Sequence, residues 1–304
     1  TIVELVGALK SDFNFDAVKG IAYRSGSKIR TTPKRKRIRD LDALPFPARH
    51  LLPLSRYRAL GMPISLTTSR GCPHRCIFCV GRKMGGAKVR YHSAERVATE
   101  LQYLANLKFH QINIADDLFT ANHHHCLAVC EEILKRKLKI NWTSFARVDT
   151  VSEQLLSKMK AAGCTAVSFG IESANPTILN TIKKGITAQQ VRDAIRLCRR
   201  VGISAYASFI LGLPGETPQT IKETTEFAAN LQQDGLAYGF HILAPFPGTE
   251  VRAQSDRLGI RILTDDWSKY DANRAVIETA CVSHRMLDAV VIDWENQYDR
   301  YLGD

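Results

Sequence analysis

The sequence predicts an α/β protein built as an open, partial (β/α)6 barrel with an N-terminal lead-in and a C-terminal helical extension. Three observations predict it. Strand-like and helix-like patterns alternate six times between about residues 63 and 250. Capping side chains and glycines fall where the helix-like stretches begin and end. Cysteines, acids and a serine–arginine pair cluster at the carboxyl ends of the strands, where such barrels place their chemistry.

The elements follow in order. Residues 1–55 read as a lead-in. Thr1 to Val6 is a strand or helix met in mid-pattern, and Gly20 to Arg30 is a hairpin turning at Ser25-Gly26-Ser27. Leu44 to Arg49 holds two prolines, each restricting its own φ and the residue before it, so the stretch reads as an extended connector. Ile64 to Thr68 is the first strand. Ser93 caps a helix to about Leu107, with Glu95 at its start. Gln111 to Asp116 is the second strand, followed by a helix from Ala121 to Leu138. Asn141 to Ala146 is the third, and a helix from Ser152 stops at Gly163. Ala166 to Ile171 is the fourth, with a helix from Thr187 to Val201 before Gly202. Ser204 to Leu211 is the fifth, with a helix from Thr217 to Gln233. Ala237 to Leu243 is the sixth, and Ser283 to Tyr301 forms a last helix. The expected division is a lead-in (1–55), a core barrel (56–250) and a C-terminal extension (251–304).

The 304 residues are 45% hydrophobic and 24% charged, enough to build a core. No apolar stretch approaches the ~20 residues of a bilayer crossing. No secretion signal precedes the globular pattern, so a cytoplasmic protein is expected. The chain opens on Thr1 rather than Met, so sequence is expected upstream. The net charge is +12, densest at Lys34 to Arg37 between Arg30 and Arg39. That run reads as a solvated linker or hairpin edge. An RNA-binding role would want interleaved aromatic residues, which it lacks, so nucleic acid is not an expected partner. His123, His124 and His125 cannot share one helix face, which argues for a solvated helix start rather than a joint metal site.

Of eight cysteines, three fall within eight residues. Arg70-Gly71-Cys72-Pro73-His74-Arg75-Cys76-Ile77-Phe78-Cys79 has C-x3-C-x2-C spacing and follows the first strand. Three thiolates on one loop can cap one face of an iron–sulfur cube, leaving a fourth iron open to a small molecule. Structural zinc would want four ligands in paired units, and His74 lies too close in sequence to close a tetrahedron easily. A ferredoxin-like electron-transfer cluster would want a fourth cysteine nearby. Cys126 and Cys130, four apart on a helix, read as packing residues.

The stretch Cys72 to Cys79, with Phe78 before the last cysteine, resembles the signature of the radical S-adenosylmethionine (SAM) superfamily. The resemblance spans about residues 63–250 and implies a TIM-like partial barrel. It implies that Cys72, Cys76 and Cys79 hold a [4Fe–4S] cluster whose open iron chelates SAM for one-electron cleavage. It further implies a cofactor shell of Phe78, Asp116, Asp117, Ser144, Arg147, Glu172 and Gly212. Asp116-Asp117 stands where the family often carries Gly-Gly-Glu, with one carboxylate expected on the SAM ammonium and the other capping the next helix. Arg147 would pair with the SAM carboxylate or form a surface salt bridge. Glu172 would accept from ribose or ammonium, or act as a cap. Gly212 would let backbone approach the adenine ring, and Glu216 would cap the following helix.

His241 to Glu250, the Leu44 connector and the Asp-Asp pair together look like the cobalamin-dependent branch, whose members methylate unactivated centres or close rings. These include the anaerobic magnesium-protoporphyrin monomethyl ester cyclase and related methyltransferases. That branch carries a cobalamin domain ahead of the barrel. No Asp-x-His-x-x-Gly motif is present here, so the domain is expected upstream. The implied partners are a small-molecule substrate and a one-electron donor such as flavodoxin or ferredoxin. Alternatives are a methylthiotransferase acting on RNA or protein, and a non-catalytic iron–sulfur electron-transfer protein.

Overall fold

A computed structural model describes residues 1–11, 13–109 and 111–302. They group into two compact units, 1–41 and 42–304. In the first, a helix over Ile2–Lys10 precedes an antiparallel hairpin, Ala22–Ser25 against Lys28–Thr31. Gly26 takes φ +62° in the turn, a conformation glycine adopts without strain. Residues 33–38, which hold the basic run, are exposed and irregular.

The second unit is built on six parallel strands in consecutive order: β1 (Ile64–Leu66), β2 (Gln111–Ile114), β3 (Asn141–Ala146), β4 (Cys164–Glu172), β5 (Ser204–Leu211) and β6 (Leu236–Ile242). Five crossover helices, α1 (Ala94–Asn106), α2 (His123–Lys135), α3 (Glu153–Ala161), α4 (Ala188–Val201) and α5 (Pro218–Gln232), separate them, and α6 (His284–Leu302) follows. The sheet is open: β1 and β6 are its two edges. This is the partial barrel expected from the alternation.

Local chemistry sets the boundaries. The side chains of Ser93, Asn122, Ser152, Thr187 and Thr217 each accept a backbone N–H in the first turn of α1 to α5. Gly202 ends α4 in the left-handed region at φ +78°. β1 stops at Leu66, short of the expected Thr68, because the Thr68 N–H is claimed by a side chain, Asp116 Oδ1 at 2.6 Å. α2 starts at His123 rather than Ala121 because Asn122 is its cap.

One row of each strand faces the helices. Ile112, Ile114, Trp142, Val167, Phe169, Phe209 and Leu211 are buried there. The other row is open. Phe145, Ser168 and Tyr206 are in register on β3, β4 and β5, with Phe145 53% and Tyr206 47% exposed. The short features escaped the periodicity, among them helices over Leu54–Ala59, Gly81–Gly85, Pro176–Thr181 and Glu250–Ala253, a hairpin of Ile260–Ile262 with Ile277–Thr279, and a ribbon of Ser69–Arg70 with Arg90–Tyr91. Two- and three-residue strands are too short to show a period. No helix among the described residues is long and apolar enough to cross a membrane.

Candidate active site

The cysteine segment is a closed excursion. The Ser69–Arg70 ribbon with Arg90–Tyr91 pins its base, so residues 71–89 leave and return at one place. Glycine packing makes it compact. Gly71 takes φ +113°, and a Cβ there would lie 2.8 Å from Gly86 O. A Cβ on Gly85 would lie 2.8 Å from Gly71 Cα and 2.9 Å from Asp117 Oδ2. Buried Ile77 anchors the middle: its N–H donates to Ile182 O at 3.1 Å, and its carbonyl accepts from Val251 N at 3.0 Å. The segments after β4 and β6 thus hold the loop from two sides. Cys72 and Cys76 are half-buried and Cys79 is exposed.

The two aspartates after β2 build this loop. Buried Asp116 accepts from the backbone N–H and hydroxyl of both Thr68 and Ser69, at 2.6 to 3.1 Å. Asp117 Oδ2 accepts from Gly71 N at 3.1 Å. Neither caps the next helix, which corrects the capping expectation: Asn122 does that work. A carboxylate two residues past the strand meets four donors from the segment after the neighbouring strand before it can reach a helix N-terminus. Burial pushes the Asp116 carboxyl up, and the Thr68 and Ser69 hydrogen bonds pull it back.

The histidine run also differs from expectation. His125 is largely buried, its ring 4.6 Å from that of Tyr91 and its Nε2 3.0 Å from Thr68 Oγ1. Thr68 Oγ1 already donates to Asp116, so His125 Nε2–H is the donor to it. Burial lowers the imidazole to about 4, so the ring is neutral near pH 7. His124 stays exposed, as expected for a solvated start, and exposed His123 meets Thr150 O.

Arg147, directly after β3, is buried rather than a surface salt bridge. Its Nε and Nη2 form a bidentate pair with Asp149 at 2.9 Å, and Nη2 also donates to Lys184 O at 2.7 Å. Its Nη1 is buried with no hydrogen-bond partner among the described residues. A buried guanidinium N–H without an acceptor is costly, about 1–3 kcal/mol or more for a charged group, so this atom fits an anionic ligand. Glu172, the last residue of β4, is not a cap; Asn175 caps the following helix. Its Oε1 pairs with Lys184 Nζ at 2.7 Å, both side chains being 7% exposed. A β-bulge between Gly170 and Glu172, with Glu172 at φ +72°, turns the carboxylate back across Gly170. A Cβ at Gly170 would lie 2.5 Å from Glu172 Oε1. Lys184 Nζ is 5.8 Å from the Phe78 ring centroid.

These cations face the loop. Burial pushes the Cys76 thiol up, and Lys184 and then Arg147 pull it back; Cys72 is likewise raised by burial and partly offset, first by the His74 backbone N–H and less by Arg147. Lys184 was missed in the sequence. A buried lysine has no periodic mark, and Lys183-Lys184-Gly185 looks like an ordinary basic turn.

Two expected residues have other surroundings. Ser144 lies on the helix-facing row with Trp142 and Ala146, its Oγ buried and without a partner among the described residues. At Gly212, φ +82°, a Cβ would lie 2.8 Å from Ile277 Cδ1 and 3.1 Å from Leu287 Cδ1. Positive φ and apolar packing require glycine there, a reason separate from the expected approach of backbone to the adenine ring. Glu216 is not the cap of α5, since Thr217 is. Buried Glu216 accepts from Gly212 N at 2.6 Å and Leu213 N at 3.1 Å, and burial raises its carboxyl to about 7.

The donor set fits an iron–sulfur cluster. Three soft thiols share one pinned loop backed by two buried cations. Among the described residues no three His, Cys, Asp or Glu side chains converge on a single metal ion, a spacing that one thiolate per iron does not need.

Residues 66–228 match the family model of the radical SAM superfamily. The chain belongs to that superfamily. It is 39% identical over 272 residues to an uncharacterized methyltransferase of Pyrococcus horikoshii, covering 89% of this chain and 59% of the relative. It is 30% identical over 315 residues to the anaerobic magnesium-protoporphyrin IX monomethyl ester cyclase of Cereibacter sphaeroides, covering 99% of this chain and 49% of the cyclase. The chain therefore spans about half the length of the curated relatives it matches. Among solved structures, the methyltransferase TsrM of Kitasatospora setae with cobalamin and a [4Fe–4S] cluster superposes at TM-score 0.72. It is 22% identical, over 94% of this chain and 58% of TsrM. OxsB with aqua-cobalamin and SAM superposes at 0.76 and 19% identity, over 100% of this chain and 50% of OxsB. At these identities the likeness shows the fold. Radical SAM membership implies a [4Fe–4S] cluster and SAM, and the partial barrel agrees with it.

Proposed function

We propose that Cys72, Cys76 and Cys79 ligate a [4Fe–4S] cluster for reductive cleavage of SAM. The enzyme would perform cobalamin-dependent methyl transfer or oxidative cyclisation on a small-molecule substrate. The observation that carries the reading is the pinned cysteine loop with the orphaned Arg147 Nη1 buried beside it.

When bound, the reduced cluster supplies one electron for breaking a carbon–sulfur bond of SAM. The chain's residues do the rest. The two Ile77 hydrogen bonds and the Gly71–Gly85 contact hold the three thiols in a fixed order. Arg147, steadied by Asp149, offers Nη1 to the SAM carboxylate, where a planar donor suits a planar acceptor. Glu172 and Phe78 line the cofactor shell. Asp117 is the carboxylate nearer to free service for the ammonium, since it accepts one loop N–H where Asp116 accepts four bonds. Asp116, Ser144 and Gly212 act by positioning. Residues 56–250 make the catalytic core, with 1–55 as lead-in and 251–304 as extension. The cobalamin reading is supported by the P. horikoshii methyltransferase and the cyclase as relatives and by the cobalamin-bound folds. A cytoplasmic setting with a one-electron donor completes the proposal.

The test is anaerobic reconstitution of the full-length protein, followed by SAM and dithionite with and without cobalamin. Formation of 5′-deoxyadenosine supports radical cleavage. Cobalamin-dependent S-adenosylhomocysteine supports methyl transfer. Neither product from an iron-loaded protein overturns the reading.

A further inference from the structure

We propose that the open face of the sheet takes its substrate by a flat conjugated ring, held between Phe145 and Tyr206 over Ser168. The inference rests on the cluster-and-SAM reading above and names the substrate class of that same site.

The register carries it. Phe145, Ser168, Tyr206 and Ala237 pair across β3, β4, β5 and β6 and form one row of the face turned away from the helices. The row alternates large and small: ring, hydroxyl, ring, methyl. Both rings are about half exposed. Neither belongs to the buried core, and neither meets another aromatic ring or a cation among the described residues. Two large rings in one row of an open sheet face are costly to leave in water, and the described chain supplies nothing to cover them.

Spacing selects what covers them. Neighbouring parallel strands lie about 4.8 Å apart, so residues on β3 and β5 are about 9.6 Å apart at the backbone. Side chains on the inner face of a curled sheet converge, which narrows the gap toward the ~7–8 Å that one intervening ring fills at van der Waals distance on both sides. Ser168 is small and keeps the floor of the slot low. A puckered saturated ring is thicker and has no face to stack, so the slot favours a planar one. The hydroxyls of Ser168 and Tyr206 make no hydrogen bond among the described residues, and both suit a polar substituent on the ring's rim.

The rows on either side place that ring against the chemistry. Toward the amino ends of the strands, Thr143 donates to Asn113 Oδ1 at 2.8 Å, so that row is bonded to itself. Toward the carboxyl ends, two residues or about 6.6 Å on, Arg147 follows Phe145 and Gly170 follows Ser168. A Cβ at Gly170 would lie 2.5 Å from Glu172 Oε1 and 2.9 Å from Lys184 Nζ, so the Glu172–Lys184 pair lies against Gly170 in the row above the slot. A ring in the slot therefore sits one row below the residues of the proposed cofactor shell.

The test uses the full-length reconstituted enzyme with 2-naphthol and its saturated counterpart decahydro-2-naphthol, which share a skeleton and a hydroxyl and differ in flatness. Affinity is read by equilibrium dialysis for wild type, Phe145→Leu, Tyr206→Leu and Tyr206→Phe. We expect wild type to prefer the flat compound by about tenfold or more. Each leucine variant should lose roughly three- to tenfold in affinity for 2-naphthol and little for the saturated compound, since leucine keeps the apolar bulk and removes the stacking face. Tyr206→Phe should stay close to wild type. The comparison of the two compounds on wild type needs no variant to fold. No preference for the flat compound, or an equal loss of both compounds in the leucine variants, overturns the proposal. Wild type that selects 2-naphthol yet, when iron-loaded, cleaves no SAM with dithionite would instead sink the cluster-and-SAM reading and leave the ring slot standing.

Discussion

Seven of the eight cysteines fall into two settings that share a chemistry and differ in everything around it. Cys126, Cys130, Cys164 and Cys198 lie buried in the helix–sheet layer. Burial pushes the thiols of Cys126, Cys164 and Cys198 up, Cys198 to about 12. Such thiols are small hydrophobes and stay protonated. Cys72 and Cys76 are raised by burial too, yet it is opposed at Cys72 by the His74 backbone N–H and then Arg147, and at Cys76 by Lys184 and then Arg147. The loop therefore differs from the core by buried cations that favour thiolate. Metal binding needs thiolate, so the surroundings of the loop support the proposed ligands alongside their spacing.

The largest effect should separate the two sets outright. Cys76→Ala should abolish the absorbance near ~400 nm and all SAM cleavage, because each thiolate holds its own iron. Cys130→Ala should retain both and lose only stability, ~1–2 kcal/mol in denaturant unfolding. A cluster lost in Cys130→Ala and kept in Cys76→Ala would invert the assignment.

Removing the cations sharpens the comparison. Lys184→Met strands Glu172 as a buried unpaired carboxylate and should cost ~3–5 kcal/mol. Lys184→Met with Glu172→Gln should recover much of that in thermal unfolding. If the double variant loads iron as well as wild type, the cations are structural and not part of the thiolate environment.

A smaller effect tests the loop's shape. Gly85→Ala places a methyl 2.8 Å from Gly71 backbone. Iron content should fall several-fold while far-UV circular dichroism stays unchanged, since the strain is local. Gly26→Ala, in a turn with open space, should leave iron content untouched.

The smallest effect is a pH signature. The Glu216 carboxyl is raised from 4.5 to about 7, so between those values the folded state holds a proton that the unfolded state has lost. Stability from this group is present below 4.5 and falls as pH rises to about 7. His125 is lowered from 6.5 to about 4, so over that range the unfolded state binds the proton and stability rises with pH. The two oppose each other. Glu216→Gln should leave the rising limb alone, making stability climb from pH 4 to 6.5 more steeply than in wild type. Parallel curves would show that Glu216 ionises normally in the fold.

Strands and crossover helices were legible because each is long enough to show its period and each helix carries a side-chain cap. The cysteine loop was legible because its spacing is local. The shell was legible in position and less so in role. Asp116 and Asp117 stand where expected, but which donors a carboxylate meets depends on Thr68 and Ser69, forty-seven or more residues away in sequence. Glu172 needed its bulge and Lys184 to be understood. Ser144 points to the helices because the pleat sets its face, which a motif reading ignores. Glu216 is bound by the turn Gly212–Leu213, so the ordinary rule that an acid before a helix caps it failed.

The most direct test is ⁵⁷Fe Mössbauer spectroscopy of the anaerobically reconstituted protein before and after adding SAM. Three thiolates around a cube predict about four irons per chain and a subsite, one iron in four, whose signal shifts when SAM arrives. Bound zinc, or four irons indifferent to SAM, would contradict it.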